Sequence, residues 1–231
     1  MATDLAYIGR NAFWRGTVMQ PSGTVKVWDL PLRIWHWAFA VCLAGLLYTG
    51  LSGDLSLLRW HMRLGAVMVG LLLFRLLWGL WGAVHARWRG YMPSLRQFVA
   101  HFRGGRVDDP HTAPGRVLAI GFVALAAVQA ATGLFANDDI FTEGPLARTV
   151  SDALSDRLTW VHNRVFMGLI ALVAVHLTAH VVYALRRDPT PLAMFTGRKR
   201  AAVEPAANHW LRAALTAALA AIAVLAGGLM P

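Results

Sequence analysis

The feature that most constrains this chain is an apolar segment, residues 160–183, that carries two histidines fourteen positions apart. The segment is long enough to cross a bilayer as a helix. Fourteen steps of about 100° bring the second side chain to within about 40° of the first, so His162 and His176 share one helix face. They lie about 21 Å apart along the axis, in a hydrocarbon core about 30 Å thick. This arrangement predicts two metal centres stacked across a membrane.

Composition extends the membrane assignment to the whole chain. Of its 231 residues, 57% are hydrophobic and 15% are charged, whereas a soluble domain carries about 25% charged residues. The sequence predicts an all-α integral membrane helical bundle with a four-helix core, residues 32–185, and a fifth transmembrane helix. The five predicted spans cover residues 32–51, 60–81, 117–135, 158–185 and 211–229.

The segments before and after this core are expected to be cytoplasmic, apart from the fifth transmembrane helix near the C-terminus. Residues 1–31 are interpreted as a cytoplasmic N-terminal tail, without a cleaved signal peptide. Residues 186–231 are interpreted as a basic cytoplasmic segment followed by the fifth span. An acidic connection, residues 136–157, separates the third and fourth spans on the opposite side.

Basic residues set the expected orientation. The net charge is +10, but the Lys and Arg residues are concentrated in alternate connections, which argues against nucleic-acid binding. With the N-terminus inside, sixteen of them lie in or beside inner segments and five in or beside outer ones, while Arg75 lies within the second span. An excess of Lys and Arg marks the cytoplasmic side. The expected orientation is therefore N-terminus cytoplasmic and C-terminus periplasmic.

Direction of travel then gives each histidine a depth. His36 begins the first span and is inner, His61 begins the second and is outer, and the fourth span places His162 outside and His176 inside. The pairs that share a level are His61 with His162 and His36 with His176. Two facing imidazoles are the axial ligands of a six-coordinate haem iron, whereas zinc needs further ligands that neither level supplies. The single cysteine, Cys42, excludes a C-x-x-C-H attachment motif, so both haems are expected to be noncovalent.

Other polar residues near these levels leave alternatives open. His180 follows His176 by four positions and shares its face, so it is an alternative inner ligand. Arg33, Arg63 and Arg164 lie within three residues of a predicted ligand, and Arg75 lies in the inner half of the second span. Each arginine is a candidate partner for a haem propionate or an interfacial anchor. The remaining histidines are interpreted as solvated surface residues: His85, His101, His111 and His209.

Several motifs together resemble one family. They are R-I-W-H-W around His36, R-W-H-M-R-L-G around His61, F-R-L-L-W-G around Arg75, the His162–His176 pair, T-G-L-F-A-N-D-D-I at 132–140 and M-F-T-G-R-K-R at 194–200. Over residues 25–200 the chain is similar to the bacterial cytochrome b561 and nickel-hydrogenase-type cytochrome b family of integral membrane dihaem proteins. The resemblance implies a four-helix haem-binding core with two b-type haems, in a bacterial inner membrane. It also implies electron transfer between quinones and a redox partner.

The two histidine levels predict a transmembrane electron conduit, and the resemblance implies that it connects the quinone pool with a periplasmic redox partner. The acidic outer connection, with Asp138 and Asp139, is expected to bind a basic carrier such as a c-type cytochrome, since complementary charge raises association rates. One alternative is a quinone-linked oxidoreductase acting on a small species such as superoxide. Others are a membrane anchor subunit of a larger redox enzyme and a haem-free membrane protein. A homo- or hetero-oligomer in contact with membrane lipid is compatible with each.

Overall fold

Long helices make up most of the structure. The computed structural model describes residues 23–91, 94–103, 112–138, 140, 142–199 and 203–230. Its helices and strands, in chain order, are β1 Val25–Lys26, α1 Leu30–Leu51, α2 Leu58–Trp81, α3 Leu95–Phe102, α4 Ala113–Leu134, α5 Asp152–Leu185, α6 Ala193–Thr196, β2 Arg198–Lys199 and α7 Trp210–Ala226. The all-α membrane fold predicted from the sequence is confirmed.

Four helices, α1, α2, α4 and α5, are long and apolar enough to cross a membrane. Helix α5 begins at Asp152, earlier than the predicted span, and the first two turns of its 34 residues include Asp152, Asp156 and Arg157. Helix α4 also begins early, since Thr112 caps it by accepting a hydrogen bond from the Gly115 amide at 3.2 Å. Helix α7 has 17 residues, at the lower limit of length for a span, and its crossing stays a prediction.

Two helical hairpins pack side by side. Helix α1 packs against α2, α4 packs against α5, and α2 joins the hairpins by contacting α4. A central apolar cluster fills the space between them and includes Leu43, Met68 and Leu169. Helix α7 lies against α2, where the Trp81 indole donates to the hydroxyl of the fully buried Thr216 at 2.9 Å. The hairpins therefore face each other across an apolar interior.

A small folded unit, which we call the inner cap, closes the end where α1 begins and α5 ends. It consists of the β1–β2 pair with residues 27–29, 193–197 and 203–208 around it. The Val27 amide donates to the Gly197 carbonyl at 2.8 Å, and the Ala206 amide donates to the Lys26 carbonyl at 2.7 Å. Val27 and Trp28 are buried. The described end of the predicted tail is therefore folded onto the protein, while residues 1–22 lie outside the described residues.

Gly197 and Asp29 make this cap possible. Gly197 has φ 75°, a left-handed conformation that glycine adopts without strain, and it turns the chain from α6 into β2. Asp29 caps α1 by accepting a hydrogen bond from the Leu32 amide at 2.9 Å. Burial raises the pKa of Asp29 above its ordinary value, although this hydrogen bond opposes the shift. Asp29 thus begins α1, while the Gly197 carbonyl accepts from the Val27 and Trp28 amides and holds the start of α1 against the segment that follows α5.

Candidate paired-histidine metal centres

The outer pair joins α2 to α5. His61 lies in the first turn of α2, and His162 lies about three turns into α5. Their ring centres are 6.2 Å apart, and the ring planes are perpendicular. Both side chains line a cavity of about 460 Å³ between the two hairpins. The sequence predicted this pair, and the structure brings its members together.

The inner pair joins α1 to α5. His36 and His176 have ring centres 6.4 Å apart and planes inclined by 51°. Phe122 of α4 packs edge-on against His176, with ring centres 5.8 Å apart. This pair was also predicted from depth. The structure therefore contains both predicted pairs. One α5 histidine faces a histidine of α2, and the other faces a histidine of α1.

The ring separations fit a single metal ion between each pair. A metal–imidazole nitrogen bond is about 2.0–2.1 Å, and that nitrogen lies roughly 1.1 Å from the ring centre, so two opposed ligands have ring centres about 6.3 Å apart. The observed 6.2 and 6.4 Å agree with this value. Among the described residues, no group of three or more His, Cys, Asp and Glu could hold a metal ion. The donor set thus fits a haem iron, whose other ligands come from the macrocycle.

Hydrogen bonds fix which nitrogen of His162 is available. Its Nδ1 lies 2.9 Å from the carbonyl oxygen of Gln129 in α4. A carbonyl only accepts, so Nδ1 carries the proton and the lone pair of the neutral ring is on Nε2. The Gln129 amide nitrogen lies 3.3 Å from that Nε2 and 3.0 Å from the His162 carbonyl. His162 is therefore in the tautomer that coordinates a metal through Nε2.

His61 is held in the same way by α1. The Thr49 hydroxyl donates to the Gly45 carbonyl at 2.7 Å, so its oxygen accepts from Nδ1 of His61 at 3.1 Å. The Thr49 hydroxyl also lies 3.3 Å from the Leu46 carbonyl, a second acceptor one turn before it. Nε2 again carries the lone pair. Both outer ligands are thus oriented by the last turns of the helix that precedes them in the chain.

A glycine beside each outer histidine allows this close approach. A Cβ atom added at Gly50 would lie 2.9 Å from Cε1 of His61, and one added at Gly133 would lie 2.7 Å from Cε1 of His162. We call Thr49–Gly50 and Thr132–Gly133, with the carbonyls one turn before them, the outer sockets. Sequence reasoning missed both sockets and Gln129. The available signal was the tripeptide Thr-Gly-Leu, which recurs at 49–51 and 132–134, at the ends of two predicted spans.

The inner level contains a third imidazole. His180 contacts His176 edge-to-face, with ring centres 4.4 Å apart. Within the described part of the chain, Nδ1 of His36 and Nδ1 of His180 are buried without a hydrogen-bond partner. The distance between His36 and His176 fits a metal between them, so we keep His176 as the predicted ligand. His180 stays an alternative that the contacts do not remove.

The four arginines predicted as propionate partners have other neighbours. Arg63 lies over the ring of Trp60, and Arg164 stacks on Trp160 at 3.9 Å from its centre. Arg33 donates from Nε to the Met194 carbonyl at 3.1 Å, within the inner cap. These contacts favour an anchoring role. Pairing of Arg33, Arg63, Arg164 or Arg75 with a propionate stays a prediction.

Arg75 is the most unusual of the four because it is buried, with 3% of its surface exposed. It donates to the Ala86 carbonyl at 3.1 Å. Its guanidinium lies 3.9 Å from the centre of the Trp88 ring and 5.4 Å from that of Tyr91. Cation–π contacts and a backbone acceptor thus satisfy the charge without exposure at the membrane surface. The same contacts hold residues 84–91 against α2.

The other predicted surface histidines divide into two groups. His85 forms a hydrogen bond with the Glu204 carbonyl at 2.7 Å, and His209 precedes α7 with φ 46°. Neither contributes to the two histidine levels. His111 lies outside the described residues, as does Asp139 of the acidic outer connection, and the side chain of His101 is not described.

Comparison with known proteins identifies one family and two similar proteins. The sequence model of one family, described as prokaryotic cytochrome b561, matches residues 27–197. The chain is 24% identical over 135 residues to the "Probable Ni/Fe-hydrogenase 1 B-type cytochrome subunit" of Escherichia coli (strain K12), which covers 46% of this chain and 57% of that protein. The protein of the same description from Escherichia coli O157:H7 gives the same values. The chain thus spans a little over half of the length of these curated relatives, and no solved structure matches it.

Proposed function

Because the chain belongs to the prokaryotic cytochrome b561 family, we propose that it transfers electrons across the bacterial inner membrane through two b-type haems. The family supports membrane electron transfer with b-type haem in a multi-pass bacterial membrane protein. The observation that carries the finer proposal is the pair of histidine levels, each with a ring separation that fits one iron. The proposed route connects the quinone pool with a redox partner on the periplasmic side.

In this proposal, each histidine level binds one haem. His61 and His162 would hold the outer haem, and His36 and His176 the inner one. Haem iron, when bound, supplies a one-electron carrier that alternates between ferric and ferrous states. The two ligands on α5 lie about 21 Å apart along its axis. Leu43, Met68 and Leu169 fill the space between the hairpins and exclude water from the path between levels.

A haem count and a redox titration test this proposal together. We expect purified protein to contain about two b-type haems per chain and to titrate with two midpoint potentials. A pyridine haemochrome assay gives the count, and optical titration resolves the potentials. A colourless preparation, or one haem per chain at full occupancy, would contradict the dihaem proposal.

The outer cavity supports a cationic partner. Its described lining includes the carboxylates of Asp54 and Asp138 and neither lysine nor arginine. Negative charge at this end favours a basic protein such as a c-type cytochrome. The same charge repels an anion, so the contacts disfavour superoxide as the outer substrate. Our proposal therefore keeps protein-to-protein electron transfer ahead of small-molecule oxidation.

We expect the double change Asp54→Asn and Asp138→Asn to slow electron exchange with a basic c-type cytochrome about tenfold at low ionic strength. Asparagine keeps the oxygen that accepts from the Ser56 and Thr142 amides, so the loops should keep their conformation. Stopped-flow reduction at two salt concentrations measures the effect, which should disappear at high salt. The matched control is Asp188→Asn. Asp188 accepts a hydrogen bond from the Thr190 amide at the other end of the molecule. An unchanged rate at low salt would contradict the proposal that a basic protein binds at these two carboxylates.

The relatives favour one alternative. Their description as hydrogenase B-type cytochrome subunits supports a role as the membrane subunit of a larger redox enzyme. In that case the outer surface would contact an enzyme subunit in a stable complex. Purification in mild detergent from its native host, followed by size-exclusion chromatography, separates a stable hetero-oligomer from a chain that meets its partner transiently.

A further inference from the structure

The outer and inner ligands differ in their hydrogen bonds. In each outer socket, Nδ1 of the imidazole donates to an oxygen, Thr49 Oγ1 for His61 and the Gln129 carbonyl for His162. Thr132 adds a longer contact to His162 at 3.4 Å. For the inner level the contrast is His36, whose Nδ1 is buried and has no hydrogen-bond partner among the described residues. Only the outer level has both ligands held in this way.

A hydrogen bond from Nδ1–H makes an imidazole a stronger donor to its metal. The bond draws the proton toward the acceptor and leaves more electron density on Nε2. A more basic axial ligand stabilises the ferric state relative to the ferrous state, and this lowers the reduction potential. With two such ligands, the outer centre gains this effect twice. His36 contributes no such effect at the inner centre.

The carboxylates of the outer cavity act in the same direction. Asp54 and Asp138 line this cavity, and negative charge disfavours addition of an electron. Arginines do not separate the two levels, because Arg33 lies three residues from His36 while Arg63 and Arg164 lie two residues from His61 and His162. The contribution of charge is therefore assigned to the two carboxylates. These effects reach over several ångströms because the surrounding interior is apolar and screens them weakly.

We infer that the outer centre has the lower reduction potential of the two, and that the outer sockets act as positioning devices that produce part of the difference. The inference rests on the proposed function, since it assumes a haem at each level. It deepens that function by giving it a direction. An electron that enters at the outer haem moves to the higher-potential inner haem spontaneously, away from the acidic face.

The test removes the socket hydroxyls. The double change Thr49→Val and Thr132→Val keeps the side-chain shape, removes the acceptor of His61 and the longer contact of His162, and leaves the Gln129 carbonyl in place. We expect the lower-potential component to shift upward, with about a tenfold fall in its oxidised-to-reduced ratio at a fixed ambient potential. The higher-potential component should stay unchanged. The double change to serine keeps both hydroxyls and should restore the wild-type titration.

Two further variants complete the design. Thr216→Val removes a buried hydroxyl on α7, remote from both histidine levels, and serves as the control for loss of a threonine. His36→Ala should retain only the outer centre, whose potential should match the lower wild-type component. The inference is overturned if the valine changes move the higher component or neither one, or if His36→Ala leaves the higher component. A preparation without two haems instead contradicts the proposed function, so the two failures are distinguishable.

Discussion

Replacing His162 by alanine is expected to remove the outer haem and leave the inner one, so that haem content falls from about two per chain to about one. The His162 ring lies 6.2 Å from that of His61 across the cavity, and if these two residues hold a haem as proposed, the change would leave that haem with one protein ligand. A haem held there would be noncovalent and would depend on its two histidines, because the lone Cys42 is buried in the core and offers no covalent attachment. The haemochrome assay gives the content, and electron paramagnetic resonance shows which ferric signal disappears.

The matched control for this change is His85→Ala. His85 bonds to the Glu204 carbonyl in the inner region and lies outside both histidine levels, so its loss should leave two haems. A His162→Ala protein that keeps two low-spin haems would refute the assignment of the outer ligands.

The same comparison resolves the inner ligand. His176→Ala should remove the inner haem, while His180→Ala should retain it, because the ring separation that fits one iron is that between His36 and His176. The opposite pattern would make His180 the ligand.

The second large effect is expected from a single added methyl group. Gly133→Ala places a Cβ 2.7 Å from Cε1 of His162, closer than atoms pack, so the imidazole must leave its position. We expect loss of most of the outer haem and retention of the inner one, measured by haem content and by redox titration. The displaced ring also loses its hydrogen bond to the Gln129 carbonyl, which holds the coordinating tautomer.

The chain offers a close control in the same helix. Gly121→Ala in α4 places its Cβ 3.4 Å from a Leu172 methyl group, a distance that small adjustments of a flexible side chain accommodate. Replacing a helical glycine by alanine also favours the helix by about 0.5–1 kcal/mol. Gly121→Ala should therefore keep both haems and at least wild-type stability. If Gly133→Ala behaves like Gly121→Ala, the close approach at the outer socket is not needed for haem binding.

The helices and the histidine levels could be predicted because they depend on local rules. Apolar length identifies spans, and a rise of about 1.5 Å per residue converts the fourteen-residue spacing of His162 and His176 into depth. The pairing with His61 and His36 then follows from the alternating direction of successive spans. None of these steps requires knowledge of which helices touch.

The sockets and the inner cap could not be predicted in this way. The bond between His162 and Gln129 joins positions 33 residues apart, and it depends on how closely α4 and α5 pack. The β1–β2 pair joins Val25 to Lys199 through strands of two residues, too short to give a periodic signal. The surroundings of Arg75 depend on Trp88 folding back onto α2. Each feature is set by tertiary packing, which a single sequence encodes only indirectly.

The inner cap has a consequence for assembly. His36 and His176 belong to different hairpins, yet the start of α1 and the end of α5, the ends nearest these histidines, are tied together by backbone hydrogen bonds between β1 and the Gly197–Lys199 segment. The chain therefore brings these two helices into register through its own closure, before any cofactor bridges them. Such preorganisation lowers the entropy lost when a ligand is captured, so the proposed site at His36 and His176 would be partly formed by the backbone before a cofactor binds.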